Sequence, residues 1–306
     1  MNLDKYLEVT DEIKQAIKAN KPVIALESTI LSHGMPYPDN LTFAHKVEEI
    51  IRGEGAVPAT IAIINGKLKV GLNAEELEIM CKAENVGKVS RRDMPIYVAC
   101  KKTGATTVTT TMIIANMAGI KFFATGGLGG VHRGATETMD ISADLQELAH
   151  TNVAVICAGA KAILDLKLTL EYLETFGVPV IGLRTDELPA FYSKTSGLKL
   201  DHKAESEKEV AEIVKAKWDL GLNGGVVIGN PIPDEYSMDP KEIGKVIDKA
   251  LALCKEKGIH GKETTPFLLA TVKDMTGGDS LKSNLELAYN NARAASRIAV
   301  EYSKLA

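Results

Sequence analysis

Lys161 has a sequence context that suits covalent chemistry. It ends an Ala-Gly-Ala-Lys segment, which follows the apolar run at residues 153–156 and precedes an amphipathic helical pattern. In an open α/β sheet, a strand and a small-residue turn deliver the next residues to the edge where ligands bind. An apolar strand and the positive end of a following helix both disfavour an ammonium ion, so part of this amine should be neutral and able to attack a carbonyl-level carbon. A solvated or phosphate-binding lysine is the simpler interpretation.

Glu27 is the second residue whose position suggests chemistry, because it directly follows the apolar run at residues 23–26. A buried strand is expected there, so the carboxylate should lie at the carboxyl edge of the sheet and be only partly solvated. Poor solvation raises the pKa of a carboxyl group and suits it to act as a general acid. A glutamate that caps backbone amides or pairs with a lysine is the alternative.

A glycine-rich segment at residues 126–134 follows another apolar run and has the chemistry of an anion site. Glycines such as Gly129 and Gly130 let backbone N–H groups approach an anion, and His132 adds a donor, so a phosphate is the favoured ligand. The segment is neither G-x-G-x-x-G nor a Walker A motif, so nucleotide binding of those two kinds is unsupported. A flexible lid or a tight turn is the alternative.

Asp140 is a candidate metal ligand in the polar segment at residues 138–144. One carboxylate with several waters can hold a hard divalent cation beside a phosphate group. Because a helix is expected directly afterwards, capping of that helix by Asp140 or Ser142 is an equally good interpretation.

Composition excludes several classes of protein. The formal net charge of −4 gives no basic field for a nucleic acid polymer. No apolar run reaches the roughly 18 residues of a membrane span, and the amino-terminal residues lack the apolar core of a signal peptide. The four cysteines are far apart and include no C-x-x-C pair, which favours a reduced, cytoplasmic location.

Strands and helices alternate along the chain, with no linker or internal repeat between them. Strands are expected at residues 23–26, 60–64, 68–70, 106–110, 121–124, 153–156, 178–183 and 225–228, with a hairpin turn at Asn65 and Gly66. Helices are expected at residues 3–20, 41–53, 74–84, 203–220 and 240–257, between Lys161 and residue 176, and from residue 280 onward. This order predicts a single domain over residues 1–306, a three-layer α/β/α sandwich with a mixed, mainly parallel sheet.

Taken together, these segments resemble the pseudouridine-5′-phosphate glycosidase family, which is also called the indigoidine-synthase-A-like family. The matching segments are residues 25–38, 88–93, 106–111, 126–134, 140–144, 158–161, 229–233 and 290–293. They occur in order over nearly the whole chain. The Leu-Glu-Ser-Thr block around Glu27 and the Ala-Gly-Ala-Lys block are specific in combination.

The resemblance implies reversible cleavage of the C–C bond that joins uracil C5 to ribose C1′ in pseudouridine 5′-phosphate, giving uracil and ribose 5-phosphate. It implies that Lys161 is the nucleophile and forms an imine with the sugar, that Glu27 is the proton donor, and that Asp140 binds a divalent ion, typically Mn²⁺. It also implies a homotrimer. The residues it places against the substrate are Lys88, Val108, Ser142, Ala143, Asp144 and Asn284. Gly129, Gly130 and His132 are assigned to the 5-phosphate from their donor chemistry alone.

Two other functions remain open from the sequence. A ribokinase-like sugar or nucleoside kinase would use Asp279 as its base, in a Thr-Gly-Gly-Asp turn one residue shorter than the kinase turn. That function leaves Lys161 and Glu27 without a role. A non-catalytic regulator that binds a phosphosugar would bind the ligand without turnover.

Overall fold

A sheet of eleven strands forms the centre of the fold. The computed structural model of the protein describes residues 3–82 and 84–305, and the elements below refer to those residues. The strands are β1 (Leu7–Val9), β2 (Val23–Leu26), β3 (Val57–Ile64), β4 (Lys67–Val70), β5 (Gly87–Val89), β6 (Gly104–Thr106), β7 (Phe122–Ala124), β8 (Val131–His132), β9 (Ala154–Cys157), β10 (Leu164–Asp165), β11 (Val180–Leu183), β12 (His202–Ala204) and β13 (Val226–Gly229). β8 and β10 form a separate antiparallel pair.

Most of the central sheet is parallel, with neighbouring strands in the order β3-β2-β7-β9-β13-β11-β12. β4 and β6 pair antiparallel with β3, and β1 and β5 extend the sheet parallel to β4 and β6. Every residue of β2, β7, β9 and β13 is buried, as expected for parallel strands that are covered on both faces.

Helices cover both faces of this sheet. They are α1 (Asp11–Lys18), α2 (Thr29–His33), α3 (Asp39–Gly53), α4 (Ala74–Lys82), α5 (Met94–Ala99), α6 (Val108–Ala118), α7 (Ala135–Thr138), α8 (Ala143–His150), α9 (Leu166–Thr175), α10 (Glu207–Asp219), α11 (Pro240–Glu256), α12 (Thr264–Met275) and α13 (Asp279–Ser303). α13 packs on β2, β7 and β9 and contacts α3 and α10, whereas α6 packs on β2 and β3 and contacts α8. The predicted three-layer α/β/α sandwich with a mixed, mainly parallel sheet is confirmed. Among the described residues, no helix is long and apolar enough to cross a membrane.

The predicted hairpin is confirmed, and the geometry of its turn explains why asparagine and glycine occupy positions 65 and 66. β3 and β4 pair antiparallel across Asn65 and Gly66, whose φ angles are 52° and 77°. A two-residue turn of type I′ needs a positive φ at both positions, which asparagine and glycine adopt most readily.

The strand predicted at residues 106–110 is wrong beyond its first residue, because α6 begins at Val108. A run of threonines has a high strand propensity, but tertiary hydrogen bonds outweigh that propensity here. The Thr109 hydroxyl donates to the Asp144 carboxylate at 2.6 Å, and the Thr109 backbone N–H donates to the same oxygen at 3.0 Å. The amino terminus of α6 is therefore fixed by a residue 35 positions away along the chain.

The predicted opening helix is wrong in its first half. Residues 7–9 form β1, which pairs with β4 so that Leu7 lies opposite Leu68, and α1 begins only at Asp11. The helix α12 was not predicted either. Similarly, β12 occupies His202–Ala204, where the sequence predicted the start of a helix. Both strands pair at the edge of the sheet with partners that are distant in sequence, which a local pattern does not reveal.

Candidate active site

A cavity of about 1020 Å³ opens at the carboxyl ends of the central parallel strands. β2, β7 and β9 are neighbours in the sheet, and the residues that follow them reach this cavity: Glu27, Thr125 and Lys161. The predicted site residues that line it are Glu27, Lys88, Val108, Gly129, His132, Asp140, Ser142, Ala143, Asp144, Lys161 and Asn284. The structure therefore brings together residues that are spread over more than 250 positions of sequence.

Glu27 lies at the end of β2 with its carboxyl group among protein atoms, although it keeps some contact with the cavity. The Thr125 hydroxyl donates a hydrogen bond to Glu27 Oε1. Burial raises the pKa of this carboxyl group, and it outweighs the opposing effects of the Lys161 charge and the Thr125 hydrogen bond. Glu27 thus keeps its proton to a higher pH than an exposed glutamate, as a general acid requires.

Lys161 lies four residues beyond β9 and extends toward the glycine-rich segment. Its Nζ donates to the carbonyl oxygen of Gly127 at 2.9 Å, and its backbone N–H donates to the carbonyl oxygen of Leu128 at 3.0 Å. The turn before it requires glycine, because Gly159 has a φ of +81° and a Cβ there would lie 2.0 Å from the carbonyl oxygen of Pro189.

The helix expected directly after Lys161 begins only at Leu166, after the short strand β10. The prediction that the positive end of a helix acts on the Lys161 amine is therefore wrong. The sequence pattern placed the helix too early because Ala162 and Ile163 continue its apolar spacing. The strand β9 itself is fully buried, as predicted.

Lys88 is the second lysine of the cavity and lies in the middle of β5. Burial lowers the pKa of its amine, the positive charge of Lys161 lowers it further, and the carboxylates of Asp144 and Glu27 act in the opposite direction. Two half-buried amines and two carboxyl groups therefore share one site. Their charges act on one another, since each amine favours the charged form of the Glu27 carboxyl group and each carboxylate favours the charged form of the Lys88 amine.

Asp144 organises the loops around the cavity. Its carboxylate is buried, with Oδ1 accepting from Thr109 and Oδ2 accepting from the backbone N–H of Gly129 at 2.9 Å. The carboxylate therefore joins the amino termini of α6 and α8 to the glycine-rich segment. The Gly129 N–H, which the sequence assigned to a phosphate, is thus already bonded to Asp144.

Gly130 does not line the cavity with the other predicted residues. It is buried against α9, and a Cβ at this position would lie 2.5 Å from the Thr169 Oγ1 atom. The backbone N–H of the next residue, Val131, donates to the Thr169 Oγ1 atom at 3.0 Å. Close packing against α9 accounts for the second glycine without a phosphate.

We expect Gly129→Ala to lower the free energy of unfolding by about 1–3 kcal/mol, the usual effect of overpacking. A Cβ at Gly129 would lie 2.1 Å from Ser142 Oγ and 2.6 Å from Asp144 Oδ2, both of which hold hydrogen bonds. The measurement is denaturant unfolding. Gly244→Ala on α11 is the matched control, because nothing lies within 4 Å of its Cβ position. Equal stability of the two variants would contradict the close packing at Gly129.

His132 and Asp140 form a pair at the edge of the cavity, with 4.0 Å between His132 Nδ1 and Asp140 Oδ2. Burial lowers the pKa of His132, and the positive charges of Lys161 and Lys88 lower it further against the effect of Asp140. At neutral pH the imidazole is therefore an uncharged donor and acceptor. Ser142, and not Asp140, caps α8, because Ser142 Oγ accepts from the backbone N–H of Asp144 at 3.2 Å.

The donors around Asp140 fit only a loosely held metal ion. In the part of the chain that the structure describes, no group of three or more His, Cys, Asp or Glu side chains could hold a metal ion together. The Asp140 side chain is 45% exposed, and His132 is a ligand-type neighbour. One carboxylate at a half-exposed position fits an ion that keeps most of its water and takes further oxygens from a phosphate.

Basic residues that the sequence did not assign line the mouth of the cavity. Arg91 donates to both carboxylate oxygens of the buried Glu147, at 2.7 and 2.8 Å. Lys262 pairs with Asp93 at 2.7 Å and donates to the carbonyl oxygen of Lys88 at 3.2 Å. Charged residues are clustered at positions 88–93, a signal that could have indicated Arg91, whereas the sequence around Lys262 gives no such signal.

The segment at residues 188–194 forms part of the wall of the cavity. Phe191 and Tyr192 are nearly fully buried, and Phe191 lines the cavity. The backbone N–H of Phe191 donates to the carbonyl oxygen of Ala158 at 2.9 Å, next to the Lys161 turn. The aromatic residues therefore pack into the core.

The fold and the cavity belong to a known class of protein. The sequence profile of the family described as Indigoidine synthase A like protein matches residues 12–301, so the chain belongs to that family.

Proteins named pseudouridine-5′-phosphate glycosidase are similar to this chain over its whole length. The relative from Clostridium botulinum (strain Langeland / NCTC 10281 / Type F) is 64% identical over 304 residues, which cover 99% of each chain. The relative from Escherichia coli (strain K12) is 60% identical over 303 residues, which cover 99% of this chain and 97% of that one. The crystal structure of the prealnumycin C-glycosynthase AlnA in complex with ribulose 5-phosphate superposes with a TM-score of 0.92 at 38% identity, covering 99% of this chain and 98% of the other.

Proposed function

We propose that this protein is a pseudouridine-5′-phosphate glycosidase that reversibly cleaves its substrate to uracil and ribose 5-phosphate, a reaction of nucleotide catabolism. The observation that carries the proposal is the meeting of Glu27 and Lys161 in one cavity, at the ends of strands on either side of β7. The names of full-length relatives at 60% and 64% identity support it. The ribulose 5-phosphate bound to AlnA shows that a similar fold accepts a pentose phosphate.

A lysine solves the chemical problem that this substrate poses. An ordinary glycosidase protonates a heteroatom leaving group, and the bond between C5 of uracil and C1′ of ribose offers none. The Lys161 amine attacks C1′, and Glu27 donates a proton to the ring oxygen as the bond between that oxygen and C1′ breaks. Nζ then gives a proton to the Glu27 carboxylate, its freed lone pair forms the imine as the C–C bond breaks, and C5 of uracil takes that proton from Glu27. Water finally hydrolyses the imine and releases ribose 5-phosphate and the free lysine.

We assign the remaining cavity residues to substrate binding. Val108 begins α6, and Ser142 and Ala143 lie at the start of α8, so backbone N–H groups of two helix termini are near the cavity. Such termini favour a phosphate group. Lys88 adds a positive charge and the uncharged His132 adds a hydrogen-bond donor. Asn284, on α13, supplies an amide that can bind the pyrimidine or the ribose.

We propose that Asp140 binds Mn²⁺, with His132 as its neighbour, and that the ion supplies positive charge to the substrate phosphate. Chelation should therefore abolish uracil release, and added Mn²⁺ should restore it in the wild type. Asp140→Ala should resist this rescue because the anchoring carboxylate is gone. Manganese titration of the chelated proteins measures the effect, with Asp248→Ala as the control at another exposed aspartate. Full activity of the chelated wild type would leave Asp140 without a metal role.

The homotrimer and the cytoplasmic location are proposals that rest on the resemblance to the family and on the composition. Light scattering of the purified protein tests the first, and a mass other than three times 32.9 kDa would contradict it.

Incubation with pseudouridine 5′-phosphate, with free uracil measured by chromatography, tests the proposed reaction. Release of uracil with an equal amount of ribose 5-phosphate is expected. A ribokinase-like kinase would instead consume ATP, but Asp279, its required base, is exposed at the start of α13 and does not line the cavity. Binding of the substrate without release of uracil would favour the regulator.

A further inference from the structure

Asn291 and Asn230 form a buried amide pair next to the cavity. Asn291 lies on α13 and is fully buried, and Asn230 follows β13. The Asn291 Oδ1 atom accepts from Asn230 Nδ2 at 2.9 Å. The Asn291 Nδ2 atom donates to the carbonyl oxygens of Thr125 at 2.8 Å and Gly126 at 3.3 Å. Because carbonyl oxygens only accept, these partners fix the orientation of the Asn291 amide.

The backbone that Asn291 holds is the segment to which both reactive side chains are bonded. The Thr125 hydroxyl donates to Glu27, and the Gly127 carbonyl oxygen accepts from Lys161. This segment, residues 125–127, follows β7, which lies between the strands that carry Glu27 and Lys161. A shift of the segment would therefore move the partners of both side chains together.

We propose that Asn291, supported by Asn230, is a positioning residue that holds residues 125–127 and thereby sets the relative placement of Glu27 and Lys161. The assignment rests on the proposed function. Among the described residues, the Thr125 carbonyl oxygen has no hydrogen-bond partner other than Asn291. Without the amide this buried carbonyl is left unpaired, which costs free energy. The segment would therefore be more stable after turning toward another donor or toward water in the cavity.

The test compares kcat and KM for uracil release by the wild type, Asn291→Ala and Asn230→Ala. We expect kcat to fall about 10²-fold in Asn291→Ala, the order of effect of a misplaced catalytic group, with a smaller change in KM. Asn230→Ala should lose about tenfold, because the Asn291 amide loses its support but keeps its two carbonyl partners. Asn290→Ala is the matched control, because Asn290 Nδ2 donates to the Pro231 carbonyl oxygen at 3.0 Å and, among the described residues, its side chain has no hydrogen bond to residues 125–127.

The pH dependence of kcat distinguishes positioning from a general loss of stability. The Thr125 hydrogen bond lowers the pKa of Glu27, so weakening this bond should raise that pKa and move the loss of activity at high pH upward. Thr125→Val removes the hydroxyl directly and should give a shift in the same direction. Asn291→Ala and Asn230→Ala should both show that shift, and Asn290→Ala should not.

Each outcome decides the proposal. If Asn291→Ala does not fold, Asn230→Ala decides, because it leaves the donor bonds of Asn291 in place. A kcat no lower than that of Asn290→Ala, or a pH profile identical to that of the wild type, overturns the positioning role. Absence of uracil release by the wild type overturns the proposed function and this assignment with it.

Discussion

Lys161→Arg should abolish the release of uracil from pseudouridine 5′-phosphate while the protein stays folded. Arginine keeps the positive charge and can still donate to the Gly127 carbonyl oxygen, which Lys161 contacts at 2.9 Å. Its guanidinium stays protonated and cannot attack C1′, so only the nucleophile is lost. We expect turnover to fall by at least about 10⁴-fold, the order of effect of removing an enzyme's nucleophile. Steady-state kinetics and circular dichroism on the same preparation measure activity and folding.

Lys88→Arg is the matched control for this variant. Lys88 lies in the same cavity, and burial lowers the pKa of its amine, so it is the other amine that could react. If Lys88 only binds substrate, Lys88→Arg should raise KM and keep the covalent intermediate. Near-normal turnover by Lys161→Arg, together with an inactive Lys88→Arg, would reverse the two assignments.

Glu27→Gln should keep the fold and substrate binding but lower turnover by at least about 10²-fold, as expected for a lost general acid. The amide has nearly the shape of the carboxyl group, and its oxygen can still accept the hydrogen bond from Thr125. What the variant lacks is the proton for the ring oxygen. Titration calorimetry with ribose 5-phosphate checks binding, and near-normal turnover would remove Glu27 from catalysis.

The same variant gives a test by pH dependence. Burial raises the pKa of Glu27, so the protonated form persists to a higher pH than in an exposed glutamate. An acid works only while protonated, so wild-type kcat should fall as the pH rises through this raised pKa. Glu27→Gln should lack this fall. The same decline in both proteins would assign it to another group.

The sequence predicted the central strands and the placement of Glu27 and Lys161 at the same edge of the sheet because these signals are local. β2 and β9 are short apolar runs, and Glu27 and Lys161 lie within four residues of their ends. A parallel sheet brings all such ends to one edge, so the shared cavity followed from the pattern. The strand order did not follow, and it is the position of β7 that places Thr125 between the two side chains.

Features that depend on contacts with residues distant in sequence were not predicted, because a local sequence pattern does not contain those contacts. The threonines around Thr109 have strand propensity, but hydrogen bonds such as that from Thr109 to Asp144 hold them in a helix. Gly130 resembled the phosphate-binding glycines, but its lack of a side chain serves packing against Thr169. Lys262 reaches the cavity from the segment before α12, a helix that the sequence pattern did not predict.

Reduction of the reaction mixture with borohydride tests the covalent mechanism most directly. During turnover the imine between Lys161 Nζ and C1′ of the sugar should be reduced to a stable secondary amine. Mass spectrometry of the digested protein should then find a phosphopentosyl adduct on the peptide that contains Lys161, and none in Lys161→Arg. An adduct on Lys88, or an active enzyme that gives no adduct, would contradict the mechanism.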